Sequence, residues 1–169
     1  MINPTQLRDT VIIPVLTSLV TLQHDQSGGA NGAAVEILLG TGMQESHLGD
    51  YLHQISGPAL GIYQMEPATE KDIWDNYLAY RPDLRVPVGK LAVTGIDRTS
   101  QLAGNLYYAT AMARIQYMRI TAPLPKAGDF EGQAAYYVKH YNAGGKATVQ
   151  EYIDNWHALQ LIMLEGSSK

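Results

Sequence analysis

The chain has no cysteine, so disulfide staples and thiolate metal sites are excluded. It has no cationic surplus and no block of like charge. A formal net charge of -4 and a pI near 5.7 argue against a nucleic-acid binder, which needs a basic patch. No apolar run is long enough to span a bilayer. The longest, Val11 to Leu22, carries Pro14 and ends in Gln23, His24 and Asp25. With Asp9 before it and no cationic start, this run reads as a structural helix rather than a cleaved leader. Phenylalanine occurs once against eleven tyrosines. Amphipathic rings suit saccharide grooves, although Tyr107, Tyr108, Tyr136 and Tyr137 fall on expected helices and read first as packing residues.

What is present is enough for one core. Of 169 residues, 46% are apolar and 17% charged, which predicts a single globular domain over 1–165 and a frayed tail over 166–169. Asn3-Pro4 is a helix start, predicting a helix to about His24 that is bent or interrupted at Pro14. Gln26 to Gly32 is a Gly-rich break, after which Asn31 caps a helix from Gly32 to about Glu45. His47 to Leu60 reads as a loop or short hairpin, and Pro67 starts a short helix through about Tyr80. Arg81 to Arg98, with Pro82, Pro87, Gly89 and Gly95, reads as an irregular excursion. Thr99 or Ser100 caps a long helix, Gln101 to about Thr121, and Asp129 caps Phe130 to Tyr141. Thr148-x-x-Glu151 is a capping box opening a last helix to about Leu164. The expected class is mainly α, five to six helices, with room for a small hairpin over a cleft.

The stretch Gly40 to Thr69, GTGMQESHLGDYLHQISGPALGIYQMEPAT, carries the candidate chemistry. Glu45 ends an apolar helix and faces a Gly-bearing turn with Gln64. Apolar surroundings keep a proton on a carboxyl group near neutral pH, which suits a general acid. Glu45-Ser46 resembles the Glu-Ser pair of soluble lytic transglycosylases and goose-type lysozymes. Gly61-Ile62-Tyr63-Gln64-Met65-Glu66-Pro67-Ala68-Thr69 resembles their Gly-Leu-Met-Gln-Leu-Met-Pro-Ala-Thr run, and Tyr141-Asn142-Ala143-Gly144 their Tyr-Asn-Ala-Gly motif. The three occur in that family's order and cover the chain from about Gly28 to Tyr152.

The resemblance implies a lysozyme-like fold and cleavage of the β-1,4 bond between N-acetylmuramic acid and N-acetylglucosamine in peptidoglycan. Glu45 would be the catalytic acid, with Ser46, Tyr63, Gln64, Tyr141, Asn142 and Tyr152 as substrate-binding residues. Tyr141 is also a candidate donor to Glu45, and Ser46 reads equally well as closing the helix end. Lytic transglycosylases need one carboxylate and give 1,6-anhydro products; lysozymes commonly use a second, for which Asp50 and Glu66 are the candidates. Asp50 reads first as a turn-capping residue, and Glu66 as a helix-start acid standing where the family has an apolar residue. A silent virion structural or peptidoglycan-binding protein is the third reading. No cofactor is expected. His47 and His53 lack a third ligand at metal spacing, so no metal is expected either. Glycan strands are the expected partner, with no nucleic acid and no membrane insertion. The resemblance without a leader implies a bacteriophage protein, in the particle beside other virion proteins or released at lysis, acting on the cell wall in the periplasm.

Overall fold

The structure, a computed structural model, describes residues 1–19 and 32–166. Among them the chain is mainly helical. The expected helix end near His24, the Gly-rich break that begins at Gln26, the Asn31 cap and the tail beyond Gly166 lie outside the described residues.

Asn3 caps α1 (Pro4–Leu7) by accepting from the Gln6 amide at 3.0 Å. A π-helical turn, Arg8–Ile12, then leads into α2 (Ile13–Leu19). Pro14 is the physical reason for the wide turn. It has no N–H for the Thr10 carbonyl, and its ring crowds that oxygen, so the Ile13 amide bonds Arg8, five residues back.

Helix α3 (Gly32–Ser46) is buried on nearly every side, from Ala33 to Met43, Glu36 being half-buried, as befits a helix apolar all round. It stops in a run of left-handed residues, His47, Leu48 and Gly49, with the Leu48 amide reaching back to Gly42 at 3.0 Å. Leu48 is fully buried, and Gly42 makes room for it: a Cβ there would meet the Leu48 side chain at 3.0 Å. Burial of this side chain offsets a backbone conformation that costs a non-glycine residue about 1–2 kcal/mol. The loop that follows makes two isolated antiparallel bridges, His53 to Leu60 and Leu60 to Met65, a hairpin-like excursion without a ladder.

Pro67 opens α4 (Pro67–Asn76), followed by a 3₁₀ turn, Leu78–Tyr80. The region from Arg81 corrects the expectation of an irregular excursion. It forms α5 (Pro82–Leu91), which runs through Pro87. Leu84 and Val88, four apart, are fully buried, and packing on that face outweighs one lost backbone hydrogen bond. The long helix expected after Thr99 is two helices, α6 (Arg98–Gly104), capped by Asp97, and α7 (Leu106–Met118). Asn105 makes the break. It accepts from the Tyr108 amide at 3.1 Å and donates to the Leu91 carbonyl at 2.9 Å, while buried Gln101 ties down Val93 and Ile96. Helix α7 forms the centre of the core, with Tyr108, Ala111, Met112, Ala113 and Ile115 fully buried.

Asp129 caps α8 (Phe130–His140) through the Gly132 amide at 3.0 Å. Thr148 and Glu151 close their capping box reciprocally, at 2.7 and 3.2 Å, and start α9 (Val149–Gly166). Tyr152, Trp156 and Leu159 form the buried face of α9, which packs on α3 and α8. No helix among the described residues is long and apolar enough to cross a membrane.

Candidate active site

The C-terminal end of α3, the 51–66 loop, the start of α4 and the turn after α8 enclose a groove with a cavity volume of about 700 Å³. Glu45 projects into it from the last turn of α3. Its surroundings are mostly neutral: Gln44, Gln54, Gln64, Gln116 and Asn142 supply amides that both donate and accept. Glu66 and Glu151 are its other acids, and among the described residues Lys146 is its only cation.

Burial pushes the Glu45 carboxyl up from 4.5 to about 7, and hydrogen bonds from Tyr137 and Asn142 pull it partly back. The Tyr137 hydroxyl donates to Glu45 Oε1 at 2.6 Å. Tyr51 donates to the Glu45 backbone carbonyl at 2.7 Å and so holds the loop against the helix end. Asn142 is fixed from behind, its Oδ1 accepting from the Ala147 amide at 3.2 Å within the Gly144-Gly145 turn. Gln64 has a left-handed backbone and donates to the Gly61 carbonyl at 2.7 Å, while its Oε1 has no partner among the described residues. Gly61 is required where it stands: φ is 74°, and a Cβ would lie 1.8 Å from the Leu102 carbonyl oxygen.

Thus Glu45, Gln64, Tyr141, Asn142 and Glu66 line one groove. Ser46, Tyr63, Tyr152 and Asp50 are not among its lining residues. Ser46 is fully buried and donates to the Ile62 carbonyl at 2.8 Å while accepting from the Gly49 amide, so it clips the turn and is out of reach of a ligand. Tyr63 is buried, 3.2 Å from the Thr110 hydroxyl, and its ring cannot stack on a sugar. Tyr152 is buried behind Tyr137, ring centroids 5.1 Å apart, rather than facing the groove. Tyr141 does not donate to Glu45; its hydroxyl bonds the Tyr63 carbonyl at 2.8 Å, locking the turn before Gln64. Asp50 faces away, paired with the amino group of Met1 at 2.6 Å, with His47 beyond at 3.9 Å. Glu66 is exposed on the groove wall at the N-terminus of α4, where its side chain makes no capping bond. Among the described residues no three His, Asp or Glu come together to hold a metal ion.

In the sequence Tyr137 reads as a packing residue, and nothing there singles out Tyr51, Gln44 or Gln116. The available signal for Tyr137 was its place four residues before Tyr141, which puts both on one face of α8. Compared with family models, curated proteins and solved structures, the chain matches none. The family likeness therefore rests on the three motifs.

Proposed function

We propose that this chain cleaves peptidoglycan as a lytic transglycosylase of the lysozyme-like kind, acting on the β-1,4 bond from N-acetylmuramic acid to N-acetylglucosamine. The observation that carries the reading is Glu45: a largely buried carboxyl with its pKa raised to about 7, at the wall of a groove lined by neutral amides. Such a group is protonated often enough at neutral pH to be an acid and ionised often enough to be a base. In the first step the Glu45 proton goes to the glycosidic oxygen as the C1–O bond breaks and positive charge spreads over the muramyl ring. In the second, the Glu45 carboxylate takes the proton of that sugar's C6 hydroxyl, whose oxygen bonds C1. The enzyme is restored, and the product is a 1,6-anhydro sugar without water having entered.

Gln64 and Asn142, and the amides beside them, suit hydroxyl and N-acetyl groups of the two sugars. One observation favours a second reading, hydrolysis: Glu66 shares the groove with Glu45 and its side chain is committed to no cap. Asp50, turned toward Met1, has no such standing.

Mass spectrometry of digested sacculi tests both. The lyase reading expects ends lighter by one water, lost in Glu45→Gln and kept in Glu66→Gln. Reducing ends, abolished by Glu66→Gln, would transfer the chemistry to a lysozyme mechanism. Release of fragments unaffected by Glu45→Gln would overturn both.

A further inference from the structure

Burial alone would leave Glu45 a reluctant acid. Each step toward a less solvated site raises its pKa and weakens its ability to give up the proton that the leaving oxygen needs. Two donors in the groove work the other way, Tyr137 and the Asn142 amide, and the first is the larger. Tyr137 projects from α8 with its hydroxyl 2.6 Å from Glu45 Oε1, and its ring is held between Tyr141, at 5.9 Å, and Tyr152, at 5.1 Å. The residue is itself buried, which restricts rotation of the ring and keeps the hydroxyl aimed at Glu45.

We propose that Tyr137 is the positioning residue of this site: it fixes which oxygen of Glu45 faces the groove and stabilises the carboxylate left after proton donation, so setting the upper pH limit of activity. This rests on Glu45 acting as the acid, as proposed above. A phenol hydroxyl bonded to Oε1 takes that oxygen out of competition for the glycosidic oxygen. Because its donor meets a charge that grows as the proton departs, the bond is stronger in the transition state than in the resting acid. The other titratable groups facing Glu45 are differently placed. Tyr51 bonds the Glu45 carbonyl, Tyr141 is committed to the Tyr63 carbonyl, and Tyr117 to the Thr41 hydroxyl. Glu151 is held in its capping box, and Glu66 and Lys146 line the groove without a contact to Glu45. Tyr137 alone among these side chains donates to its carboxylate; the Asn142 amide is the remaining donor.

The experiment is Tyr137→Phe, which keeps the ring and removes only the hydroxyl, with Tyr141→Phe as comparison. Two readouts are taken on the folded full chain: the pH–rate profile on sacculi, and the titration of the ¹³C-labelled Glu45 carboxyl by NMR without substrate. In Tyr137→Phe the carboxyl titration and the alkaline limb of the rate profile should both move up by about one pH unit, since a hydrogen bond to a charged group is worth about that much. The plateau rate should fall about tenfold or more, the acid now being weaker and less well aimed. Tyr141→Phe should leave the Glu45 titration in place. A folded Tyr137→Phe whose Glu45 titrates as in the wild type would overturn the proposal, as would a rate that falls equally at every pH. If the wild type cleaves no sacculi while the NMR shift appears as expected, the link between Tyr137 and Glu45 stands and the failure belongs to the cleavage reading.

Discussion

At Glu45 a desolvated carboxyl is opposed by two donors, and the net result has a thermodynamic consequence that needs no substrate. In the unfolded chain the group titrates near 4.5; in the folded protein it titrates near 7. Below about pH 4.5 both states hold the proton. Between the two values the folded state holds a proton that the unfolded state has lost, so stability falls as pH rises through this window. Above about pH 7 the buried carboxylate is a constant penalty, on the order of 3 kcal/mol. Glu45→Gln, which cannot ionise, should therefore gain on the wild type by about that amount between pH 4.5 and pH 8, in urea unfolding followed at several pH values. Equal pH dependence in the two proteins would mean that Glu45 is solvated, and the acid role would fall with it.

Helix α3 delivers Glu45 to the groove only because neighbouring helices approach it closely, and Gly40 marks the closest approach. A Cβ at Gly40 would lie 2.0 Å from the Tyr152 hydroxyl oxygen and 2.5 Å from the ring carbon that bears it. Tyr152 touches Tyr137, which aims at Glu45, so the helix contact and the site geometry are one arrangement. Alanine at position 40 gains about 0.5–1 kcal/mol of helix propensity but must displace a buried ring, a change that costs about 1–3 kcal/mol. The expected net loss is about 1 kcal/mol in denaturant unfolding, with activity reduced more than stability. Adding Tyr152→Phe should recover part of the loss, and a stabilised Gly40→Ala would show that the ring gives way freely. The same elements show what the sequence discloses. Asn3, Pro67, Asp129 and the Thr148–Glu151 box were legible because capping is chemistry within four residues. Helix α5 was not, because Pro87 and Gly89 carry the local signal and the burial of Leu84 and Val88 that overrides it comes from the rest of the chain. The break at Asn105 likewise depends on a carbonyl of Leu91, fourteen residues away. The motif singles out Glu45 in the sequence, but not the hydrogen-bonding partner that the fold gives it. Tyr137 and Tyr141 sit on one helix face, and only the fold decides which hydroxyl meets the carboxylate and which meets the Tyr63 carbonyl.

For the molecule as a whole, the charge of the chain and the charge of its proposed substrate have the same sign. The chain carries a formal net charge of -4, and among the described residues that line the groove Glu66 and Glu151 stand against one cation, Lys146. Peptidoglycan stems carry free carboxylates, so under the proposed function approach to the wall would be opposed by long-range repulsion, while recognition in the groove would fall to neutral amides, whose short hydrogen bonds salt hardly screens. Raising the ionic strength from about 0.01 M to 0.15 M shortens the screening length from about 30 Å to about 8 Å, which removes the first effect and spares the second. Cleavage of intact sacculi should then quicken severalfold over that range, measured as the initial rate of turbidity loss at fixed pH. A rate that instead falls steeply with salt would mean that cations draw the wall in, with Lys146 the first to test, and would contradict a groove that recognises its ligand through uncharged groups.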